Sequence, residues 1–420
     1  MKTQVHKSSL ILKARPGKVI TLPSIYPGLE RVKNIYDRIL ALTPEATVSL
    51  LDEVREEFSA RHKDLEASFL ENFAYFRQQY PGHQSLSEER KLLLGASLTK
   101  EYSIQSAALF NPSMVSHPDQ SGLQAGQKRF LISLRATGEG HISSIVFRSG
   151  VTDEKGNLTL DEESRYCVTG RVHTKENASD YSLEFPADSL LSERVIFPQT
   201  EAESMGMEDL RLVEFREKGR SIYYGTYTAY NGREIRSQLL ITEDFRSFRI
   251  RALSGAAVKD KGMALFPEKV NGKYAIISRQ GGENISIMFS EDLFHWEDHQ
   301  LLMKPAFPFE ISQIGNCGSP IRTAEGWLLL THGVGPLRKY TISAVLLDPD
   351  DPTRVIRRLP RPLLEATGAE REGYVPNVVY SCGAMTHGGI LYIPYAMSDS
   401  MSGFAWLNMK ELLDELKKGI

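Results

Sequence analysis

Residues 218–227, KGRSIYYGTY, place a Lys-Gly turn directly before a run of aromatic and β-branched residues. The same turn-then-strand pattern recurs as AGQKRFLISL at 125–134, NGKYAIISR at 271–279, EGWLLLTH at 325–332 and GGILYIPY at 388–395. Repeats of this size predict a five-bladed β-propeller over residues 108–407, because a single blade cannot bury both faces of its sheet. A two-sheet sandwich is the alternative, but its repeat is one strand every 8–12 residues or so.

The spacing of these repeats supports multi-strand units. Their glycines are 93, 53, 54 and 63 residues apart, so the longest gap holds one blade and an insertion. A second echo, ITEDFRSF at 241–248 and FSEDLFHW at 289–296, recurs after 48 residues. The fold class is therefore predicted to be all-β, with helices confined to the two ends of the chain.

The N-terminal region, residues 1–107, is predicted to be a helical extension. After an irregular start, Thr43 and Pro44 have the pattern of a helix N-terminus. Apolar or aromatic side chains follow at helical spacing, at Val54, Phe58, His62, Leu65, Phe69, Phe73 and Phe76. This predicts one long helix ending at 80–83, with a second helix over 87–104. The phenylalanine-rich seam suits either internal packing or a homo-oligomer interface. An N-cap at Asn408 predicts a closing helix over 408–420.

Composition excludes several classes of function. The 420-residue chain has 50 basic and 53 acidic residues, which gives 50 − 53 = −3, and it has no dense basic tract. Nucleic acid and anionic membranes are therefore not expected partners. No apolar stretch is long enough for a signal peptide core or a membrane span, so a cytoplasmic location is expected. Cys167, Cys317 and Cys382 lack metal-ligand spacing, so we expect reduced thiols and no metal site.

Residues 206–211, GMEDLR, concentrate two carboxylates and a guanidinium before a strand-like run. In an extended strand Asp209 and Arg211 share one face, while Glu208 and Leu210 share the other. A surface ion pair is the simpler interpretation of such a cluster. The alternative is a catalytic acid with a cation beside it.

A polar residue follows the apolar run of each repeat, at Arg135, Tyr230, Arg279, His332 and Asp399. Taken singly, a histidine after an apolar run is usually a core residue, and an arginine at a strand end is usually on the surface. In a propeller, however, equivalent strands line the central axis, so these positions converge. Together with Lys261, they predict a pocket with several cationic donors.

At this point the sequence resembles glycoside hydrolase family 130, the β-mannoside phosphorylases, over about residues 108–407. The resemblance rests on ordered motifs: NP at 111–112, SLRA at 133–136, GMEDLR at 206–211, LFPEK at 265–269, GWLLLTHGV at 326–334, VPNVVYSCG at 375–383 and SDS at 398–400. It implies a five-bladed propeller that cleaves β-linked mannosides with inversion. Inorganic phosphate attacks the anomeric carbon and gives α-mannose 1-phosphate, so phosphate is a co-substrate and no cofactor is implied.

The resemblance also implies roles for individual residues. Asp209 matches the general acid, which delivers its proton through a mannose hydroxyl. The phosphate-binding positions are matched by Lys261, Arg279 and His332. The positions assigned to the sugar site are Asn111, Arg135, Arg211, Glu268, Asn377 and Asp399. Two positions depart from the family pattern, since Leu210 replaces a usual Pro and Gly262 replaces a usual Asp.

Two other functions are compatible with the sequence. A β-mannoside hydrolase of the same fold would use a carboxylate such as Glu208, Glu268 or Glu283 to activate water. A non-catalytic glycan-binding propeller would need no buried acid facing cations. Retention of Lys261, Arg279 and His332 favours phosphorolysis over both, because a cluster of donors can hold an anionic nucleophile. The departures from the commonest β-1,4 pattern lead us to expect β-1,2-linked mannosides.

Overall fold

The computed structural model describes residues 2–80, 85–175 and 179–419, and this part of the chain is mostly β. It divides into two compact units. One is helical and comprises residues 15–106 with 164–168. The other is built of β-sheets and comprises residues 1–14, 107–163 and 169–420.

The α-helices in the described residues are α1 Leu29–Leu40, α2 Pro44–Phe58, α3 Leu65–Gln79, α4 Glu88–Ser97 and α5 Met409–Leu416. The strands are β1 His6–Lys13, β2 Val19–Pro23, β3 Thr99–Ser103, β4 Ala108–Ser116, β5 Gln127–Thr137, β6 Ser143–Asp153, β7 Leu158–Leu160, β8 Val168–Thr169, β9 Arg171–Lys175, β10 Tyr181–Glu184, β11 Arg194–Ile196, β12 Gly206–Glu217, β13 Arg220–Tyr230, β14 Ile235–Thr242, β15 Ser247–Ala252, β16 Ala264–Leu265, β17 Tyr274–Ser278, β18 Ile285–Ser290, β19 Gln300–Met303, β20 Gln313–Asn316, β21 Ile321–Thr323, β22 Gly326–Gly335, β23 Lys339–Leu347, β24 Val355–Arg358, β25 Leu364–Glu365, β26 Val379–Tyr380, β27 Met385–His387, β28 Ile390–Met397 and β29 Met401–Asn408.

The helical unit differs from its prediction in three places. The single long helix is interrupted after Phe58 by a 3-10 turn, and α3 starts afresh where Asp64 Oδ1 accepts from Ala67 N at 3.0 Å. The predicted end at 80–83 lies largely outside the described residues. Helix α4 stops at Ser97, and the chain continues as β3, which pairs with β2. The predicted irregular start contains α1 as well as β1 and β2.

Specific contacts accompany helix α1 and the interruption after α2. Val32, Tyr36 and Ile39 are buried at spacings of four and three residues, which is the apolar stripe of a short helix. His62 adopts an extended backbone after the 3-10 turn, and its Nε2 contacts Glu101 Oε1 at 2.7 Å. A separate cavity of about 340 Å³ in this unit is lined mainly by apolar side chains of α2, α3 and α4.

The β unit contains five consecutive antiparallel groups of strands: β4–β7, β12–β15, β16–β19, β20–β24 and β26–β29. The five turn-then-strand repeats of the sequence lie on β5, β13, β17, β22 and β28, one in each group. Each repeat strand pairs on both sides, so its continuous apolar run is buried against two neighbouring strands.

The first strand of the chain, which lies within the predicted extension of residues 1–107, belongs to the β unit. Strand β1 pairs antiparallel with β29, so His6 lies opposite Trp406 and Lys13 opposite Met401. The His6 imidazole also stacks on the Trp406 indole, with ring centroids 4.0 Å apart. Helix α5 belongs to the same unit, and its predicted N-cap is present, since Asn408 Oδ1 accepts from Glu411 N.

Separate hydrophobic cores join each group of strands to the next. Leu131 and Phe147 of the first group pack with Leu212 of the second, and further cores link the second group to the third, the third to the fourth and the fourth to the fifth. A smaller core brings Phe110 of the first group against Tyr380 of the fifth. Apolar burial is therefore distributed between groups instead of being concentrated in one centre.

Candidate active site

The motif GMEDLR opens strand β12, and a β-bulge at Asp209 changes the direction of its side chains. Glu208 lies opposite Thr228 of β13 but Arg211 lies opposite Thr226, so β12 has one extra residue between them. Asp209 takes a positive φ of 57° to accommodate it. The predicted alternation is therefore wrong here, because Glu208 and Asp209 both reach the Arg135 guanidinium instead of facing opposite ways.

Asp209 is held by neutral and charged donors from other strands. Asn111 Nδ2 donates to Asp209 Oδ1 at 2.6 Å, and Arg135 Nη1 approaches the same oxygen at 3.4 Å. Burial of the carboxyl raises its pKa, but Arg135, Arg211, the Asn111 hydrogen bond and Lys261 together hold the pKa of Asp209 below its ordinary value. In the absence of ligands Asp209 is therefore a carboxylate.

Several predicted site residues have backbone conformations that are uncommon for side chains other than glycine. Positive φ angles occur at Asn111 (49°), Asp209 (57°), Asn377 (64°) and Asp399 (51°). Asn111 also lies in a register shift, between Phe110 and Ser113 of β4. Asn and Asp adopt this conformation more readily than other side chains, and such residues recur at functional sites, where the surrounding structure maintains them.

Glu208 bridges two cations that the sequence assigned to different ligands. Its Oε1 accepts from Arg135 Nη2 at 2.8 Å, and its Oε2 accepts from Lys261 Nζ at 2.6 Å. The Glu208 side chain is 11% exposed, whereas that of Lys261 is 39% exposed. This carboxylate is therefore already paired at both oxygens.

The three residues assigned to phosphate lie together. Arg279 Nη1 lies 3.2 Å from His332 Nε2, and Arg279 Nε donates to the Lys261 backbone carbonyl at 3.4 Å. Gly262 makes this possible, because a Cβ at this position would lie 2.7 Å from Arg279 Nε. The departure from the family pattern at Gly262 thus leaves space for the Arg279 side chain.

His332 does not contribute a positive charge. Burial lowers the pKa of this imidazole well below its ordinary value, and the charges of Arg279 and Arg211 lower it further. Since arginine has only donors, Nε2 is the acceptor in the contact with Arg279. The predicted group of cationic donors is therefore corrected to Lys261 and Arg279, with His332 as a neutral partner that orients the guanidinium.

Arg211 is a buried residue that bonds to the backbone of the site. It is 2% exposed, and its guanidinium donates to the Cys317 carbonyl at 3.0 Å, the Asp209 carbonyl at 2.9 Å and the Tyr380 hydroxyl at 2.6 Å. These bonds use the backbone of Asp209 instead of its carboxylate. Arg211 therefore fixes the bulge, and its assignment to the sugar site stays a prediction.

Asp399 belongs to the same electrostatic environment. Burial and the negative charge of Asp209 raise its pKa to about 6, although Arg135 and Arg338 act in the opposite direction. Asp399 and Asp209 are therefore two acids of one site with pKa shifts of opposite direction. This is the usual sign of distinct roles for two carboxyl groups.

Two assigned residues have other surroundings. Asn377 Oδ1 accepts from Arg371 Nε at 2.7 Å, and its backbone carbonyl accepts from the backbone N of Tyr340, whose ring stacks on His332. Glu268 is exposed and lines a different cavity of about 380 Å³, together with Glu214, Arg216 and Arg322. The structure does not bring Glu268 to Asp209.

Tyr380 is the main site residue that the sequence did not single out. Its hydroxyl accepts from Arg211, and its ring lies 4.9 Å from the His332 ring. It stands within VPNVVYSCG, so its motif was recognised without its role. Burial raises the pKa of Tyr380, which keeps its hydroxyl neutral. Tyr380 therefore connects Arg211 to His332.

Across the ranges 2–80, 85–175 and 179–419, the side chains form no group of three or more His, Cys, Asp or Glu residues that could hold a metal ion. No helix within those ranges has the length and apolarity needed to cross a bilayer.

A family model described as β-1,4-mannooligosaccharide phosphorylase matches residues 163–418, more than half of the chain. The chain belongs to glycoside hydrolase family 130. The family 130 resemblance noted in the sequence is thereby confirmed, and the matched region contains Asp209, Lys261, Arg279, His332 and Asp399.

Curated relatives of this family 130 protein have names that specify different linkages. A 1,2-β-oligomannan phosphorylase of Thermoanaerobacter sp. (strain X514) is 37% identical over 53% of this chain and 75% of its own length. A β-1,2-mannobiose phosphorylase of Listeria innocua is 31% identical over 53% of this chain and 63% of its own length. A β-1,4-mannooligosaccharide phosphorylase of Ruminococcus albus is 32% identical over 42% of this chain and 56% of its own length.

Solved structures share the fold of the family 130 chain. The β-1,2-mannobiose phosphorylase of Listeria innocua, in complex with β-1,2-mannobiose, has a TM-score of 0.54 and 22% identity over 74% of this chain and 92% of that one. A second structure has a TM-score of 0.55 and 20% identity over 74% of this chain and 87% of that one. Its description says that the family of mannoside phosphorylases contains hydrolases that target β-1,2 mannosidic linkages in Candida mannan.

Proposed function

We propose that this protein is a β-mannoside phosphorylase. The observation that carries the proposal is the arrangement of Asp209 near Lys261, with Arg279 bonded to the Lys261 backbone and Glu208 paired at both of its oxygens. Inverting hydrolysis needs an acid and a free carboxylate base, whereas phosphorolysis needs an acid and donors that hold an already nucleophilic anion. The names of the family 130 relatives support the same activity.

In the proposed reaction a phosphate oxygen attacks the anomeric carbon from the face opposite the leaving group. The C1–O bond breaks, Asp209 supplies the proton to the leaving oxygen through a mannose hydroxyl, and the product is α-mannose 1-phosphate. Lys261 and Arg279 hold the phosphate, while Asn111, Arg135 and Asp399 contact the sugar. Inorganic phosphate is a co-substrate, and the proposal involves no cofactor.

For this reaction Asp209 must be protonated at the start of each turnover, although its pKa is low without ligands. A bound phosphate dianion adds negative charge near the carboxyl, and the sugar excludes water from it. Both effects raise a carboxyl pKa. The proposal therefore requires that phosphate and mannoside are both bound before the proton is transferred.

We also propose that the β unit is a five-bladed propeller. Five groups of antiparallel strands, one repeat strand in each group and cores between successive groups support it. The contact of Phe110 with Tyr380 between the first and fifth groups is what ring closure requires. The pairing of β1 with β29 would then complete the last blade with the first strand of the chain.

Linkage and assembly are finer parts of the proposal. We propose β-1,2-linked mannosides as substrates, because the two relatives described as β-1,2-specific or 1,2-β-specific match larger shares of this chain than the β-1,4-specific one. We also propose a homo-oligomer formed through the N-terminal helices. The exposed apolar side chains of Leu50, Leu70 and Tyr75 on α2 and α3 support it.

The function is tested by incubating the protein with β-1,2- and β-1,4-mannobiose, with and without phosphate, and following products by proton and phosphorus NMR. We expect phosphate-dependent formation of α-mannose 1-phosphate, faster with the β-1,2-linked sugar. Free mannose at equal rates with and without phosphate would identify a hydrolase instead. Absence of cleavage would favour a glycan-binding protein.

The hydrolase is the second candidate because Glu208 stands next to the proposed acid. Both carboxylates contact the same guanidinium, that of Arg135. Movement of Lys261 would free one oxygen of Glu208 for a water molecule. The phosphate-free reaction in the experiment above measures this directly.

A further inference from the structure

Three ionic contacts form a continuous chain across the candidate site. Lys261 Nζ contacts Glu208 Oε2 at 2.6 Å, and Glu208 Oε1 contacts Arg135 Nη2 at 2.8 Å. The chain ends where Arg135 Nη1 approaches Asp209 Oδ1 at 3.4 Å. A residue assigned to phosphate is thus linked, through one carboxylate and one guanidinium, to the proposed acid.

The two cations of this chain differ in mobility, and the two contacts of Arg135 differ in length. Lys261 is a long, flexible side chain that is 39% exposed, while Arg135 is 19% exposed and fixed further by its Nε, which donates to Ser143 Oγ at 2.8 Å. The contact of Arg135 with Glu208 is also shorter than its contact with Asp209. A phosphate dianion carries more charge than a carboxylate and therefore competes with Glu208 for Lys261.

We propose that Glu208 is a positioning residue that couples phosphate binding to Asp209. It holds Lys261 while phosphate is absent, and it binds Arg135 more fully when phosphate draws Lys261 away. This inference rests on the proposed phosphorolysis. It gives Glu208 a role other than that of a catalytic base, and it does not require Glu208 to touch the substrate.

The consequence for Asp209 follows from the charges that surround it. Arg135 from β5, Arg211 from β12 and Lys261 from the segment before β16 favour its ionised form, whereas the nearby Asp399 opposes ionisation. As Lys261 turns towards phosphate, Glu208 is left with Arg135 alone and offsets more of its charge, so two of the three cations favour ionisation of Asp209 less. The carboxyl then takes up a proton as phosphate binds, which prepares the acid for the sugar.

The decisive variant is Glu208→Gln, which keeps the size of the side chain but removes its charge. In this variant no carboxylate competes with phosphate for Lys261, so we expect the KM for phosphate to fall several-fold. Arg135 transfers its interaction to Asp209, so we expect kcat to fall about tenfold and its pH optimum to move to lower pH. A residue that merely supports the fold would not change KM and kcat in opposite directions.

Calorimetry supplies a readout that needs no turnover. Phosphate is titrated into the protein in buffers of different ionisation enthalpy, which reports the protons taken up on binding. We expect proton uptake by the unmodified protein, beyond that of phosphate itself, and much less by Glu208→Gln. The matched control is Glu214→Gln on the same strand, where the carboxylate contacts Arg216 and Ser221 outside the site.

The outcomes separate this inference from the proposed function. Weaker phosphate binding by Glu208→Gln, with an unchanged pH profile and unchanged proton uptake, would overturn the coupling. Loss of a phosphate-independent cleavage in Glu208→Gln would show a catalytic base and would overturn it as well. In another outcome the unmodified protein takes up protons on binding phosphate, and Glu208→Gln takes up much fewer, while no mannoside is cleaved. In that case the coupling stands and the proposed function fails.

Discussion

At the scale of single residues, the site depends on how two acids of the same type acquire different proton affinities. Asp209 has three cations and an amide donor around it, and its pKa is lowered. Asp399 is buried near the charge of Asp209, and its pKa is raised to about 6. The sequence identifies both acids, but the sign of each shift depends on neighbours that come from distant parts of the chain.

The first prediction concerns Asp209→Asn. We expect turnover to fall by about 10³-fold or more, because the amide cannot donate the proton that the leaving oxygen needs. The fold should persist, because asparagine keeps the size of the side chain and Arg211 bonds the backbone of residue 209. Steady-state rates and circular dichroism measure the two effects. Asp161→Asn, an exposed carboxylate bonded to Ser149, is the control, and half-retained activity in Asp209→Asn would refute the assignment.

The second prediction concerns the stability of Asp399→Asn at different pH. Because the folded-state pKa of Asp399 is about 6 and lies above that of the unfolded chain, the folded protein binds more protons in this window, and its free energy of unfolding decreases as pH rises through it. Asn removes this cost. We expect the variant to be more stable by roughly 1–3 kcal/mol at about pH 7.5, to lose this advantage progressively as the pH falls below about 6, and to lose all of it only below about pH 3.9.

Urea unfolding at several pH values measures this difference. The control is Asp298→Asn, because Asp298 is exposed. A difference between the unmodified protein and Asp399→Asn that does not change with pH would contradict the raised pKa.

The third prediction concerns Gly262, where two constraints coincide. Its φ is +90°, and an added Cβ would approach Arg279 Nε to 2.7 Å. We expect Gly262→Ala to raise the KM for phosphate by about tenfold, because Arg279 must move away from Lys261 and His332. Gly272→Ala is the matched control, since its φ is +80° but no atom lies within 4 Å of the added Cβ. An equal rise in the KM for phosphate in the two variants would mean that backbone strain, and not the contact with Arg279, causes the effect.

At the scale of elements, the bulge in β12 is maintained by one buried side chain. Arg211 ties the Asp209 carbonyl to the Cys317 carbonyl and the Tyr380 hydroxyl, and so connects β12 to the end of β20 and to β26. The strand pattern alone indicates regular alternation. The additional residue is stable only because these partners from other groups of strands satisfy the guanidinium.

The fourth prediction therefore concerns Arg211→Met. Removal of the buried guanidinium leaves two carbonyls and a hydroxyl without their donor, so we expect a loss of roughly 3–5 kcal/mol in the free energy of unfolding. The control is Arg216→Met on the same strand, whose side chain is 73% exposed, and here the loss should be below about 1 kcal/mol. Similar urea midpoints for the two variants would contradict the supporting role of Arg211.

At the scale of the whole molecule, all the proposed site residues lie in the β unit. The helical unit has its own apolar clusters, which include Leu51, Phe69 and Leu94. Within that unit its entry and exit points lie close together, since Arg15 N donates to Gln105 Oε1 at 3.3 Å. The first and last residues of the segment 15–106 are therefore close enough for a short linker to join them.

The fifth prediction is that replacing residues 16–104 with a short Gly-Ser linker preserves mannoside cleavage within about threefold. In contrast, a chain that starts at residue 107 lacks β1, which leaves β29 without one of its partners, and we expect aggregation or a much lower Tm. Activity assays and thermal unfolding distinguish the variants. Equal stability of both would show that the β1–β29 pairing is dispensable. Mass photometry of the linker variant tests whether the helices also mediate assembly.

Features that depend on residues adjacent in the chain could be predicted from the sequence. Glycine turns followed by apolar runs define five repeat strands, and each is observed, because turn conformation and strand burial depend on residues that are adjacent in the chain. The Asn408 N-cap and the family motifs were equally readable. The helix that continues past Phe58 was predicted wrongly, since periodicity does not reveal that Asp64 caps a new helix.

Features that depend on residues far apart in the chain became visible only in the folded structure. It brings Glu208 and Asp209 to one guanidinium through a bulge, makes His332 neutral by burial beside two arginines, and separates Glu268 from the other assigned residues. It also joins the first strand to the last. Register, desolvation and charge arise from contacts between segments that are far apart in the chain, and local sequence patterns do not encode them.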